Sequence, residues 1–510
     1  MTKPDTVEPP GRPEPELDHS AIGFVDAVVI GLAATSPAYS LAAIIGAITA
    51  AVGIYAPGAL LASFVPMALI AGAFLYLNRV DQDCGTTFSW VTRAMGPWFG
   101  WIGGWAITMT GVLIIGSQAD VGVGFFLRMI GQDGAADNNW VRMPLAIALI
   151  LFLTWLCVLG TDLSARVQDI LILIQVGALL IFATVALFRV YSDDSPLQAL
   201  DPDLSWFNPF GAGGAPLTTA LLLGVFAYWG WEASVNLNEE TRGGPSVAGR
   251  ASLLSTFILL LTYLGVATAV VAFAGTAWLA ENAGEEEAIF AMLAGEVMGG
   301  WDWVLLLSVA VSAIASTQTT IIPASRTGLS MARRHALPAT FGRIHPRHRT
   351  PDVSTWWVAG IAIVWYVGIY TVSENALYDS ATALSLLVAF YYALSGIACA
   401  VYHRKHLTES FKNLVLIGLF PLTGAGLLIW LLVLSARDMA DPENSYSGEA
   451  WLGVGPPLVV GIGIFAVGLL LMIAWRLKDQ RYWQERPGLP DPDVVHGLKS
   501  AAPDPDGMEP

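Results

Sequence analysis

Glu232 is the residue whose chemistry is hardest to explain as packing. It stands in the apolar stretch LLLGVFAYWGWEASVNLNEETRGG, beside Gly230 and among Tyr228, Trp229 and Trp231. A carboxyl group at membrane depth is costly and marks a functional site by default. Proton carriage is the chemistry it suggests. The plainer alternative is a hydrogen bond that glues two helices together. Asp120, in IGSQADVGVGFF, is a second acid at apparent depth. It is a candidate cation contact, with a place near the outer water layer beside Arg128 as the alternative. A third feature is backbone chemistry, in ATSPAYS. Pro37 removes one N–H donor and clashes with the preceding turn, and Ser36 before it resists the α region. The helix around Ala34–Ala38 is therefore expected to unwind, with a simple proline kink as the alternative.

These groups need elements that hold them inside a bilayer, and the composition supplies such elements. The 510 residues are 55% hydrophobic and only 13% charged, about half the ~25% usual for soluble domains. That points to a polytopic membrane protein. A net charge of −16 without basic clusters argues against a nucleic-acid partner. The three cysteines form neither a disulfide framework nor a metal-binding spacing, so no metal and no cofactor are expected. The first 20 residues do not read as a cleavable signal peptide.

A spanning helix needs ~20 mostly apolar residues. Such runs fall at about 22–50, 55–78, 98–129, 141–160, 166–189, 215–238, 252–275, 301–331, 353–372, 376–402, 413–436 and 452–476. Twelve spans leave 21 of the 25 Lys and Arg on one side. By the positive-inside rule that side is cytoplasmic and holds both termini. The tails, 1–20 and 477–510, are rich in Pro, Asp and Glu and read as disordered. Glu239 and Glu240, close to Arg242, read as a surface pairing at the cytoplasmic end of the sixth span.

Breaks in the first and sixth spans occupy the same position in two halves of five spans each. That is the pattern of an inverted repeat with its binding site at the midplane. The expected architecture is all-α, with repeats at about 22–189 and 215–402 and accessory spans within 413–476.

Four stretches resemble the amino acid–polyamine–organocation (APC) superfamily of permeases. They are the broken span around ATSPAYS, the segment FAYWGWEASVNLNEETRGG, the loop IIPASRTGLSMARRHALPATFGRIHPRHRTP, and the twelve-span arrangement over residues 20–476. The resemblance implies a LeuT-type five-plus-five fold and a substrate held by backbone at the two breaks. It assigns the carboxylate end of the substrate to Ala34, Thr35, Ser36 and Ala38, with Tyr39 beside them. The ammonium end falls to the carbonyls of Phe226–Gly230, with Tyr228 and Trp231 as gating or stacking aromatics. Ser312, Ser316 and Thr317 lie where sodium-coupled relatives bind their ion, although membrane hydroxyls commonly bond their own backbone.

One departure stands out. Thr35-Ser36-Pro37 occupies the place of the family's Gly-Ser/Ala-Gly motif, and Pro37 has no N–H to offer a carboxylate. The implied function is secondary active transport of amino acids across the cell membrane by alternating access. Coupling is to protons through Glu232, or transport proceeds by exchange. A polyamine or organic amine permease is the alternative within transport, and a non-transporting receptor is the alternative outside it. The spans carry no HExxH motif, no suitably spaced intramembrane aspartates and no Ser/His pair, so an enzyme is not expected.

Overall fold

A computed structural model describes residues 16–192, 194–282, 286–372 and 374–485. The described residues are helical apart from loops and two isolated β-bridges. The chain starts with α1 (Phe24–Thr35), α2 (Pro37–Val52), α3 (Ala56–Val80), α4 (Thr87–Met95) and α5 (Pro97–Met129). It continues through the short α6 (Asp133–Ala136), α7 (Asn139–Leu159), α8 (Thr161–Tyr191) and α9 (Gly214–Ala227). After a 3₁₀ segment, Trp231–Glu240, come α10 (Val247–Glu281), α11 (Glu286–Met298), α12 (Trp303–Arg333) and α13 (Asp352–Tyr370). Last are α14 (Glu374–Tyr402), α15 (Phe411–Asn413), a π-helical stretch to Leu419, α16 (Phe420–Asp438) and α17 (Pro456–Lys478).

Among the described residues, ten helical stretches are long and apolar enough to cross a membrane. The first of them, Phe24–Val80, is 57 residues long and contains three helices. The pair formed by α9 and Trp231–Glu240 is not among the ten, because its break leaves neither piece long enough. Helices dominate for a simple reason. Hydrocarbon offers no partner to backbone N–H and C=O groups, so each span must satisfy its own.

α5, α12 and α14 are the most buried of the long helices. α5 and α12 pack along each other, and small residues let them approach. A Cβ at Gly111 would lie 3.2 Å from Ala324, and one at Gly122 would lie 3.1 Å from Ile314. Such stripes of small residues are how helices pack without a hydrophobic drive between them. α16 and α17 lie at the periphery and expose rows of Leu, Ile and Val.

Both polar tails begin with packed residues. Leu17 is buried in a cluster with Cys84, Leu329 and Ile344. Tyr482 is buried too. It shares a hydrogen bond with Thr92 (2.8 Å) and donates one to the Pro97 carbonyl (2.9 Å). The expected disorder therefore does not extend to residues 16–20 or 479–485, because single apolar side chains in each segment find pockets. The remaining tail residues, 1–15 and 486–510, lie outside the described residues.

Candidate functional site

The first break falls at Ser36, whose backbone is left-handed (φ 54°, ψ 58°) between α1 and α2. Pro37 explains the location. It disfavours the α region for the residue before it and is pre-organised to start the next helix. A left-handed non-glycine residue costs on the order of 1–3 kcal/mol, and bonds from α12 offset this. Ser36 Oγ donates to the Ser312 carbonyl (2.9 Å) and lies 3.1 Å from Ser312 Oγ. Tyr39 N–H donates to Ser312 Oγ (3.3 Å), and Ser316 Oγ donates to the Ala34 carbonyl (3.1 Å). Gln118 Nε2 donates in turn to Ser316 Oγ (2.7 Å).

The second break is the turn at Tyr228–Gly230. Gly230 has φ 118°, and a Cβ there would sit 2.5 Å from the Ala34 carbonyl oxygen. Only glycine allows this approach, so the two breaks touch backbone to backbone. The Ala227 carbonyl accepts from Tyr263 Oη (2.7 Å), and the Phe226 carbonyl accepts from Trp229 N–H (3.0 Å).

From the first break a cavity of about 230 Å³ runs to the ends of α14 and α16. Thr35, Ser36, Tyr39, Ser40 and Gln118 bring hydroxyls and an amide to its inner part. Phe226, Trp229, Leu222 and Ile114 make its apolar wall, and Ser385, Ser435 and Asp438 lie at its far end. Asp438 is the one charged residue among those lining it.

Beneath the cavity, Trp229 separates it from a space of only about 20 Å³ around Glu232. The buried Glu232 carboxylate accepts hydrogen bonds from Tyr391 Oη and Tyr392 Oη, one on each oxygen. Trp229 Nε1 donates to Tyr391 Oη (2.6 Å), and Trp231 stacks on Tyr392 at 5.3 Å. Cavity and carboxylate are thus joined through Trp229 and one phenol.

The opposite end of this path is closed. Glu240 and Arg326 form a fully buried ion pair, Nε–Oε1 3.0 Å and Nη2–Oε2 3.2 Å, and Thr161 Oγ1 bonds to both side chains. Arg333 pairs with Glu239 at 2.8 Å, and Glu239 also accepts from Cys84 N–H (2.9 Å). Asn236 Nδ2 donates to the Cys84 carbonyl and to Thr86 Oγ1, both at 3.1 Å. This corrects the expected surface pairing with Arg242. Glu240 turns inward because Arg326, 86 residues away, offers a bidentate partner.

Of the residues expected at the substrate, Ala34, Thr35, Ser36, Tyr39 and Phe226 line the cavity. Ala38 is buried behind it. Gly230 borders only the small space by Glu232. Tyr228 donates to the Leu60 carbonyl (3.1 Å) and packs on Tyr263 and Phe64, away from the cavity. Trp231 sits between Tyr392 and Phe74. Their place is therefore in the packing around the second break.

Asp120 also lies elsewhere, which corrects its reading as a second cation contact. Its carboxylate meets Arg142 Nη2 at 2.6 Å and accepts from Tyr366 Oη at 2.6 Å, a buried pair that supplies its own cation. Ser312 and Ser316 spend their oxygens on the first break, and Thr317 Oγ1 donates to its own helix at the Ala313 carbonyl (2.8 Å).

Sequence reasoning missed Gln118, Tyr391, Tyr392 and Asp438. The tandem tyrosines in AFYYALSG were a usable signal, since buried phenols need partners.

Comparison with known proteins gives the site its family. A family model described as amino acid permease matches residues 22–472. The methylthioribose transporter of Bacillus subtilis (strain 168) is 24% identical over 429 residues, 80% of this chain and 85% of its own length. The branched-chain amino acid permease BcaP of the same strain is 25% identical over 337 residues, 61% of this chain and 66% of its own length. The human Asc-type amino acid transporter 1 is 25% identical over 340 residues, covering 66% and 60%. The match and these relatives point to transport rather than catalysis. With the family model covering nearly all of the membrane-spanning region, the chain belongs to the amino acid permease family.

Proposed function

We propose that the protein is a secondary active transporter of amino acids in the cell membrane, working by alternating access and coupled to protons through Glu232. The observation that carries this reading is Glu232 itself. It is a buried acid held by two phenols, one tryptophan away from a hydroxyl-lined cavity between two broken helices. Loading the cavity bears on Trp229, and Trp229 shares Tyr391 with the carboxylate, so substrate and proton act on one hydrogen-bond chain. The twelve-span, five-plus-five architecture belongs to the same reading. It is supported by the breaks at Ser36 and Tyr228–Gly230, and 21 of 25 basic residues favour cytoplasmic termini.

Asp438 favours a second reading. It is the only charged residue lining the cavity, which suits an organic amine or polyamine, and Pro37 offers no N–H to a carboxylate. Uptake into proteoliposomes decides between the two, using labelled neutral amino acids, putrescine and methylthioribose, with and without an inward proton gradient. Gradient-driven amino acid uptake that Glu232→Gln abolishes is the expected result. Uptake that survives the substitution moves coupling away from Glu232. Accumulation of putrescine alone selects the amine reading. Binding without accumulation of any compound returns the receptor.

A further inference from the structure

The described residues contain a larger cavity than the central one, and the transport reading does not use it. It has a volume of about 490 Å³ and lies between α5, α12, α13 and α17, on the outside of the bundle. Its walls are almost wholly apolar. Trp105, Phe341, Trp357 and Trp365 supply rings, and Val460 and Ile464 supply branched chains. Trp357 and Val467 on its rim are half exposed, so it faces the surroundings of the bundle rather than the central path. Along α13 it runs from Ser354 to Trp365, a rise of about 17 Å at 1.5 Å per residue. Half the ~30 Å hydrocarbon core of a bilayer is of similar length.

The foot of the groove is charged. Phe341, which lines it, packs on Trp357 at 6.0 Å between ring centres. Two residues further on, Arg343 is 60% exposed and meets Asp352 at 2.9 Å, two residues before the lining Ser354. One of its nitrogens is spent there, and a guanidinium has five N–H donors. Arg347, also exposed, follows in the same loop with His345 and His348. Among the described residues, the acids that meet this loop are Asp352, paired with Arg343, and Asp18, 3.5 Å from Arg349 at the loop's far end. An apolar slot of one-leaflet length that ends at exposed arginines has the chemistry of an anionic amphiphile.

We infer that this groove is a binding site for an anionic phospholipid, with one acyl chain between α13 and α17 and the phosphate at Arg343. A gap lined by apolar atoms forfeits dispersion contacts, and an alkyl chain restores them. Exposed arginines next to the bilayer then select the headgroup, as basic juxtamembrane segments do.

Gly463 gives the test, since a Cβ there would meet nothing within 4 Å. Gly463 also lines the groove, so Gly463→Phe adds a ring at its wall from a Cβ that stands in open space. The full-length protein in detergent is heated with no lipid, with phosphatidylglycerol or with phosphatidylcholine, and lipid retention is counted by native mass spectrometry. Phosphatidylglycerol is expected to raise the unfolding midpoint by several degrees more than phosphatidylcholine and to remain bound at one copy. Gly463→Phe should abolish both effects while keeping the lipid-free midpoint. Arg343→Gln should leave phosphatidylglycerol no better than phosphatidylcholine. Equal effects of the two lipids on the wild type would overturn the headgroup assignment. A full phosphatidylglycerol effect in Gly463→Phe would overturn the groove. Loss of a dimer mass in that variant would make a second copy of the chain the occupant.

Discussion

The two ends of the central path are held by different chemistry. Around the cavity the bonds are hydroxyl to carbonyl and amide to hydroxyl: Ser36 to Ser312, Ser316 to Ala34, Gln118 to Ser316. At the closed end they are ion pairs, with Arg326 on Glu240 and Arg333 on Glu239. Neutral hydrogen bonds contribute about 0.5–1.5 kcal/mol each and exchange readily for a polar ligand. A buried ion pair broken on one side strands a charge. The bonds around the cavity are thus easier to exchange than the buried ion pairs, which cost more to separate one charge at a time.

Breaking the closed end gives the largest expected effect. Arg326→Ala leaves Glu240 buried without its cation, a loss of about 3–5 kcal/mol that thermal unfolding in detergent would register. The double variant Glu240→Met, Arg326→Met should recover most of it. A single variant as stable as the wild type would mean that the pair does not hold this end shut.

The next effect is acidic. Asp81, just past α3, is raised to about 7 from the ordinary 3.8 by burial first and by Asp83 next, with Glu239 adding to both. Arg93 and Arg334 only partly compensate. A carboxyl raised by folding favours the protonated native state. Stability at this site is therefore greatest below pH ~4 and is lost as pH rises through 7, at a slope of up to about 1.4 kcal/mol per pH unit. Unfolding midpoints taken from pH 4 to 7 should show this slope in the wild type and a flatter one in Asp81→Asn. Identical slopes would remove Asp81 from the closed end's pH response.

The smallest effect sharpens the open end. Ser36→Ala deletes the bonds to Ser312 and keeps the left-handed strain, for a loss of about 1 kcal/mol. Ser36→Gly deletes the same bonds but relieves the strain, so it should be the more stable of the two. The reverse order would mean that the left-handed backbone at Ser36 carries no strain, and Ser36→Ala as stable as the wild type would mean that the bonds do not carry the break.

What was legible in the sequence was local. Long apolar runs announce spans wherever they occur, and Pro37 acts on the residue next to it. The partners of the buried charges were not local. Glu232 meets Tyr391 and Tyr392 across some 160 residues, and Asp120 finds Arg142 only because α7 folds back along α5. Composition averages also concealed Leu17 and Tyr482, single anchors in segments that are polar overall.

α1 and the segment Trp231–Glu240 are stitched together at both extremities. At one, Gly230 abuts Ala34. At the other, Ile22 N–H donates to the Glu240 carbonyl (3.2 Å) and Arg242 N–H to the Ile22 carbonyl (2.8 Å). The consequence is mechanical. Two half-length rods pinned at both ends behave as a single lever, with its fulcrum at the paired breaks. Displacing Phe24–Thr35 from α12 would therefore pull on Trp231–Glu240 as well, and through it on the Glu240–Arg326 pair.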